Sequence, residues 1–131
     1  MSYNKFLFVF LILSFTSCNF KSESKISQQP KKNEAYYTNV ICNNLNGKAE
    51  HRLTDNTRID CLTQKYAIEL DWANKWHEGI TQALYYAMKS GKEAKLVLLT
   101  TRKDDKRFYK KSIDFVGHYE LPILIELFEV N

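Results

Sequence analysis

The chain of 131 residues is poor in several residue types, and each shortage excludes a class of protein. It has three scattered histidines and three cysteines with no Cys-x-x-Cys pair, so no zinc site is indicated. No internal repeat is visible. Without an Asp-x-Asp-x-Asp-Gly loop, a calcium-stabilised structural site is only a minor alternative. The formal net charge of +4 is too small an excess to indicate a polyanionic partner by itself. Function must therefore be sought in specific residues.

What is present is typical of one small folded domain. The length leaves room for a single domain once any leader or tether is subtracted. Aromatic residues make up 14% of the chain and charged residues 26%, which favours a globular core over a disordered chain.

The N-terminal residues have the pattern of an export signal. Lys5 precedes an apolar run from Phe6 to Phe15 that is too short to span a bilayer, and small residues then lead to Cys18. This pattern resembles the signal peptide of bacterial lipoproteins, whose cysteine is acylated and becomes the first residue. Phe15 stands where that family usually has an aliphatic residue. A plain secretory leader or an uncleaved anchor is the alternative.

We therefore predict a signal peptide over residues 1–17, lipidation at Cys18, and a lipid-anchored flexible tether over residues 18–33. The tether is rich in Lys, Ser and Gln and contains Pro30. The predicted location is the bacterial cell membrane or envelope. In such an oxidising compartment the remaining pair, Cys42 and Cys61, forms one disulfide or packs as two buried thiols, and the sequence leaves both alternatives open.

Residues 34–131 have the periodicities of an α/β domain with the order helix, three strands, helix, strand, helix, strand. Helices are predicted over Glu34–Leu45, Ala73–Lys89 and Lys103–Tyr119, and strands over Ala49–Leu53, Arg58–Thr63, Tyr66–Trp72, Leu96–Leu99 and Leu121–Val130. The inward faces of the three helices are predicted to be Tyr37, Val40, Ile41 and Leu45; Trp76, Ile80, Ala83 and Ala87; and Phe108, Ser112, Phe115 and Tyr119. The unbroken run Leu96–Leu99 indicates a strand covered on both faces.

Three acidic residues fall on two neighbouring predicted strands. Glu69 and Asp71 are two residues apart and share a strand face, and Asp60 joins them if the second and third strands pair. Because like charges held close together repel, such a cluster usually has a compensating cation. Carboxylate ligands select Mg²⁺ or Mn²⁺. The alternative is ordinary ion pairing on a solvated sheet face, with Arg52, Arg58 or Lys65.

A polar stripe follows on the second predicted helix. Lys75, Gly79, Gln82 and Tyr86 are spaced by four, three and four residues and lie on one side of it. A lysine there can stabilise charge on an attacked phosphate, while the amide and the phenol can orient water or a nucleic-acid backbone. Gly79 leaves room for close approach. The alternative is a half-exposed helix flank with no catalytic task.

These motifs resemble the PD-(D/E)XK nuclease superfamily. The resemblance lies in Thr57-Arg-Ile-Asp60-Cys-Leu, Tyr66-Ala-Ile-Glu69-Leu-Asp71-Trp and Gln82-Ala-Leu-Tyr-Tyr86, the last being similar to the Gln-x-x-x-Tyr motif of the RecB-like branch. It implies a restriction-endonuclease-like core of helix, three strands, helix and strand over residues 34–131, with a mixed central sheet flanked by helices. It also implies that Asp60 and Glu69 bind the metal.

The sequence departs from the family at one position. Asp71 stands where the family has lysine, and Lys75, about one helical turn into the next element, is the candidate replacement. Glu34 on the first helix is a weak further candidate for the site, and Glu50 is interpreted as a surface charge.

The resemblance implies an exported, Mg²⁺- or Mn²⁺-dependent nuclease-like phosphodiesterase acting on DNA or RNA. An exported domain meets foreign or environmental nucleic acid rather than the cell's own chromosome. The alternative is an inactive nuclease-fold lipoprotein that serves as a nucleic-acid-binding or interaction module. The predicted metal ligands are Asp60, Glu69 and Asp71, and the predicted catalytic residues are Asp60, Glu69, Asp71, Lys75, Gln82 and Tyr86.

Overall fold

The computed structural model describes residues 32–101 and 106–130. The predicted signal peptide, the lipidation site at Cys18 and nearly all of the tether lie outside these residues. The helices are α1 (Glu34–Asn44), α2 (Trp76–Ser90) and α3 (Lys106–His118), and a 3₁₀ turn at Ala73–Lys75 precedes α2. The strands are β1 (Lys48–Arg52), β2 (Arg58–Leu62), β3 (Tyr66–Trp72), β4 (Glu93–Thr100) and β5 (Ile123–Glu129).

The five strands form one mixed sheet in the order β1-β2-β3-β4-β5. The first three strands are antiparallel neighbours, whereas β3, β4 and β5 are parallel and are connected through α2 and α3. Parallel neighbours need such crossover helices, because a short turn cannot return the chain to the start of the next strand. The predicted α/β class, the order of elements and the mixed sheet flanked by helices are confirmed.

Helices cover both faces of the sheet, and the sheet divides the hydrophobic core into two clusters. Val97 and Leu99 of β4 pack on the side of α1, whereas Leu96 and Leu98 pack on the side of α2 and α3. All four side chains are buried. The run Leu96–Leu99 is therefore covered on both faces, as predicted, and β4 itself extends further at both ends.

The inward face of α1 differs in part from the predicted one. Tyr37 and Ile41 are buried as predicted, but Val40 and Leu45 are 37% and 42% exposed. Cys42 is fully buried in their place. The helix is thus rotated so that the cysteine, rather than Val40, faces the sheet.

A disulfide joins Cys42 of α1 to Cys61 of β2, with the two Cα atoms 5.5 Å apart. It explains the rotation of α1, because the bond draws Cys42 toward the strand. Gly47 lies against it, and a Cβ at this position would stand 2.5 Å from the Cys61 sulfur and 2.8 Å from the Cys42 sulfur. Of the two alternatives for this cysteine pair, the structure has the bond.

The inward face of α3 also differs from the prediction. Ser112 is buried and Phe108 packs against the core, but Phe115 and Tyr119 are 40% and 60% exposed. Val116 takes the inward position instead, since it continues the four-residue spacing of Phe108 and Ser112. No helix within the described residues combines the length and the apolar character needed to cross a membrane.

Candidate active site

The site begins where β2 and β3 separate. The two strands pair at Cys61↔Ile68 and Leu62↔Ala67. Beyond these positions the Leu70 N–H donates to the Asp60 carboxylate, with N and Oδ2 3.0 Å apart. A side chain thus replaces the backbone ladder, and the Asp60 carboxylate is held between the two strands.

Strand alternation places the acids of β3 on the side of α2. Ile68 and Leu70 belong to the core beneath α1, so Glu69 and Asp71 point to the opposite face. Gly79 of α2 packs directly over this face. A Cβ on Gly79 would stand 2.6 Å from Leu96 Cδ1 and 3.5 Å from the Asp71 Cβ, so the glycine permits the helix to approach the acidic strand closely.

An open cavity of about 400 Å³ lies between the β1–β2 hairpin, the N-terminus of α1 and α2. It is lined by Glu34, Arg52, Asn56, Arg58, Asp60, Glu69, Gln82 and Tyr86. Four of the six predicted catalytic residues therefore share one cavity: Asp60, Glu69, Gln82 and Tyr86. Asp71 and Lys75 are not among its lining residues.

The two acids at the floor of the cavity, Asp60 and Glu69, have raised pKa values. Glu69 is only 6% exposed, and its Oε2 has no hydrogen-bond partner among the described residues. Burial, followed by repulsion from Asp60, raises the pKa of Glu69 to about 9. Burial also raises the pKa of Asp60 to about 6, although the hydrogen bond from Leu70 opposes the shift. Both shifts favour the protonated, neutral form, and a cation placed beside the two groups would oppose them.

Asp71 and Lys75 form a separate pair beside the cavity. The Lys75 Nζ is 3.6 Å from Asp71 Oδ1, and the lysine side chain is half exposed. The Trp72 N–H donates to the same carboxylate at 2.8 Å. Burial raises the pKa of Asp71, and the Trp72 N–H and Lys75 oppose that shift. Asp71 is therefore already hydrogen-bonded and paired with a cation.

Glu34 and Tyr86 line the wall of the cavity, and nearby carboxylates shift the pKa values of both. Burial and the negative charge of Asp71 raise the pKa of Glu34. Burial and the negative charge of Glu69 raise the pKa of the Tyr86 phenol, which keeps that group a hydrogen-bond donor. The first helix thus contributes an acid to the site.

The residues present fit a magnesium or manganese ion. Within residues 32–101 and 106–130, no three His, Cys, Asp or Glu side chains converge into a complete ligand set. Mg²⁺ does not require one, because it usually keeps several waters and binds through one or two carboxylates together with substrate phosphate. Asp60 and Glu69 would offer two carboxylate ligands, and such an ion would satisfy the unpartnered Glu69 Oε2.

Sequence reasoning missed the basic side of the cavity. The sequence alone predicts Arg52 and Arg58 only as ordinary ion-pair partners of the acids. The signal that identifies them is hairpin register, since Arg52 lies directly opposite Arg58 across the turn. Asn56, at the tip of this hairpin, adds an amide to the same wall.

Comparison with known proteins does not assign the chain to a family, since no family model, no curated protein and no solved structure matches it. The function must therefore be argued from the site itself.

Proposed function

We propose that this chain is an exported, Mg²⁺- or Mn²⁺-dependent nuclease-like phosphodiesterase acting on DNA or RNA, built on the restriction-endonuclease-like core of the PD-(D/E)XK superfamily. One observation carries the proposal. A buried glutamate, Glu69, has an unpartnered oxygen beside Asp60, in a cavity that Gln82 and Tyr86 also line. The order of elements supports the finer fold assignment, because these residues occur on the strands and the helix that the family motif requires.

The residues divide the chemistry among them. Asp60 and Glu69 would hold the metal, which would supply a lowered pKa for a bound water and positive charge to neutralise the phosphodiester. Gln82 and Tyr86 donate hydrogen bonds that orient the phosphate group or water. Lys75 stands at the edge of the acidic strand, where its ammonium offsets Asp71 and stabilises charge that develops during the reaction.

The test is cleavage of single- and double-stranded DNA and RNA by the full chain purified in detergent. Wild type should cleave at least one of these substrates with Mg²⁺ or Mn²⁺ and none in EDTA. The double variant Asp60→Asn, Glu69→Gln should lose activity, on the order of 10²-fold or more. Either metal should also raise the melting temperature of wild type, since a ligand at 100 times its dissociation constant adds about 2.7 kcal/mol of stability.

A matched control is Asp114→Asn, which removes one exposed carboxylate from α3. It should cleave and respond to metal like wild type. A metal-induced melting shift that persists undiminished in the Asp60, Glu69 double variant would count against the metal site.

The same proposal includes export and a lipid anchor at Cys18. It rests on the sequence pattern of residues 1–18 and concerns residues outside those the structure describes. Cys18→Ala should abolish the lipid mass increment and release the protein from the membrane fraction, or leave an unprocessed precursor. An unchanged mass and unchanged partitioning would show that the cysteine is not acylated.

A second candidate function is nucleic-acid binding without turnover. It is favoured by the acid at position 71, where the family has lysine, and by the placement of Lys75 outside the cavity lining. Binding of an oligonucleotide with no metal-dependent cleavage of any substrate would select this alternative.

A further inference from the structure

Two arginines face each other at the mouth of the candidate site. Arg52 of β1 and Arg58 of β2 are register partners across the hairpin, so their side chains leave the sheet on the same face. Both also line the cavity that contains Asp60 and Glu69. Like charges placed directly opposite each other destabilise a strand pair, so the hairpin carries an energetic cost here.

The two guanidinium groups are only partly neutralised. Arg58 Nη1 lies 2.5 Å from Glu50 Oε2, but the arginine side chain remains 54% exposed. Arg52 is exposed and forms no ion pair with any residue of the described part of the chain. The pair therefore retains net positive charge and free donors toward the cavity.

The hairpin that carries the arginines is fixed to α2. Asp55 in its turn accepts hydrogen bonds from the Thr57 N–H at 3.0 Å and the Thr57 hydroxyl at 2.6 Å. The same carboxylate accepts a hydrogen bond from the Tyr85 hydroxyl and lies 3.6 Å from the Lys89 Nζ. These contacts tie the hairpin tip to the helix that bears Gln82 and Tyr86, so both walls of the cavity are held together.

We propose that Arg52 and Arg58 form a phosphate-binding pair that holds the backbone of a nucleic-acid strand over Asp60 and Glu69. The choice of a nucleic-acid strand as the ligand rests on the proposed function. The Asp60 carboxylate repels a phosphodiester, so a phosphate-binding site over it needs cationic groups at its entrance. Planar guanidinium groups match phosphate oxygens in a bidentate manner, which a single ammonium does not.

This pair recognises the backbone rather than the bases. Phosphate contacts position a nucleic acid but carry no sequence information directly. Binding through Arg52 and Arg58 should therefore be similar for strands of different sequence and should weaken steeply as salt rises.

The experiment measures fluorescence polarisation of a labelled single-stranded DNA with the full chain in detergent, in EDTA so that no cleavage occurs. Arg52→Ala and Arg58→Ala should each raise Kd about tenfold. Each should also reduce the slope of log Kd against log salt by about 0.7. Arg52→Lys should bind more tightly than Arg52→Ala but less tightly than wild type, because it keeps the positive charge and loses the two-pronged guanidinium geometry.

Lys111→Ala is the matched control, because it removes one positive charge from an exposed position of α3 outside the cavity. It should leave Kd and the salt slope unchanged. Arg52→Gln, which keeps a polar side chain but removes the charge, should raise Kd like Arg52→Ala, and melting curves check that both variants are folded.

The outcomes separate this inference from the proposed activity. If wild type cleaves but the arginine variants keep its Kd and salt slope, or lose no more than Lys111→Ala, the phosphate-binding pair is refuted and the nuclease stands. If wild type binds the strand through both arginines but cleaves nothing, the pair stands and the nuclease falls. A wild type that does not bind the strand in EDTA refutes the pair.

Discussion

Strands β3 and β4, like β4 and β5, pair at seven positions, whereas β2 and β3 pair at two. We call strands β3–β5 the parallel half of the sheet and strands β1–β3 the antiparallel half; β3 belongs to both. The parallel half is rich in aliphatic side chains, and its central strand β4 is buried along nearly its whole length. The antiparallel half holds the acids, the arginines and the point where the strands separate. The parallel half thus supplies stability, and the antiparallel half, where β2 and β3 separate, exposes groups that can act on a ligand.

Backbone conformation within the described strands shows the same contrast. Glu50 lies within β1 with a φ of 56°, a left-handed conformation that is costly for a residue with a side chain. It stands between Ala49 and His51, whose partners are Cys61 and Ile59, and therefore opposite Asp60. The strained glutamate holds Arg58 by an ion pair. Local strain here coincides with the candidate site, as is common at functional sites.

The largest expected effect separates catalysis from stability, and it comes from changing Lys75. Lys75→Ala should lower the cleavage rate on the order of 10²-fold, because it removes charge stabilisation made mainly in the transition state. DNA affinity, metal affinity and melting temperature should change little, since the lysine side chain is half exposed and its ion pair is with Asp71, which lies outside the cavity lining. Steady-state and single-turnover rates with Mg²⁺ measure the effect.

Lys75→Arg should recover only part of the rate, because a planar guanidinium cannot place its charge where a compact ammonium did. Lys111→Ala again serves as the charge-matched control. Equal rates for wild type and Lys75→Ala would remove the role assigned to Lys75, while leaving the two-carboxylate site in place.

A smaller effect concerns the pH dependence of stability in the metal-free protein. Burial in the folded protein raises the pKa of Glu69 to about 9 and that of Asp60 to about 6, above their ordinary values of 4.5 and 3.8. The folded state therefore binds more protons than the unfolded state, so this contribution to stability is fully present below the ordinary pKa values of 3.8 and 4.5 and is lost as pH rises from there, up to about 6 for Asp60 and about 9 for Glu69. Melting temperatures in EDTA should fall over that interval.

Glu69→Gln should flatten the upper part of this fall, because an amide cannot ionise. Leu98→Ala is the contrasting variant from the parallel half. It should cost about 2–5 kcal/mol by leaving a cavity in the core, by a similar amount at each pH. If the melting temperature of Glu69→Gln falls with pH as steeply as that of wild type, Glu69 is not the group responsible.

Much of the fold could be predicted because hydrophobic periodicity encodes it directly. Alternation in β3 indicated that Glu69 and Asp71 share one face of the strand, and the run Leu96–Leu99 indicated a strand covered on both faces. Helix rotation was harder. In α1 the apolar Val40 was expected inside, but the disulfide at Cys42 determines which side of this helix faces the sheet, and spacing alone does not reveal that bond.

The candidate site was predictable where one element carries the whole pattern. Gln82 and Tyr86 share a helix face, so their convergence follows from four-residue spacing. Arg52 and Arg58 come together only through the register of two strands, which depends on how Asp55 organises the turn. Asp71 was expected in the cavity with Glu69, but its pairing with Lys75 and the Trp72 N–H directs its carboxylate elsewhere.

The disulfide also has a consequence for how the chain folds. Cys42 and Cys61 are 19 residues apart, so the bond closes a short loop that contains the end of α1, all of β1 and the hairpin turn. An oxidised chain that unfolds keeps this loop, and the entropy of bringing α1 to β2 need not be lost again on refolding. No such covalent link joins the parallel strands among the described residues, and each pair forms only after the intervening crossover helix brings the strands together. After transient unfolding, the segment that carries Asp60 and both arginines therefore starts from a covalently restricted ensemble.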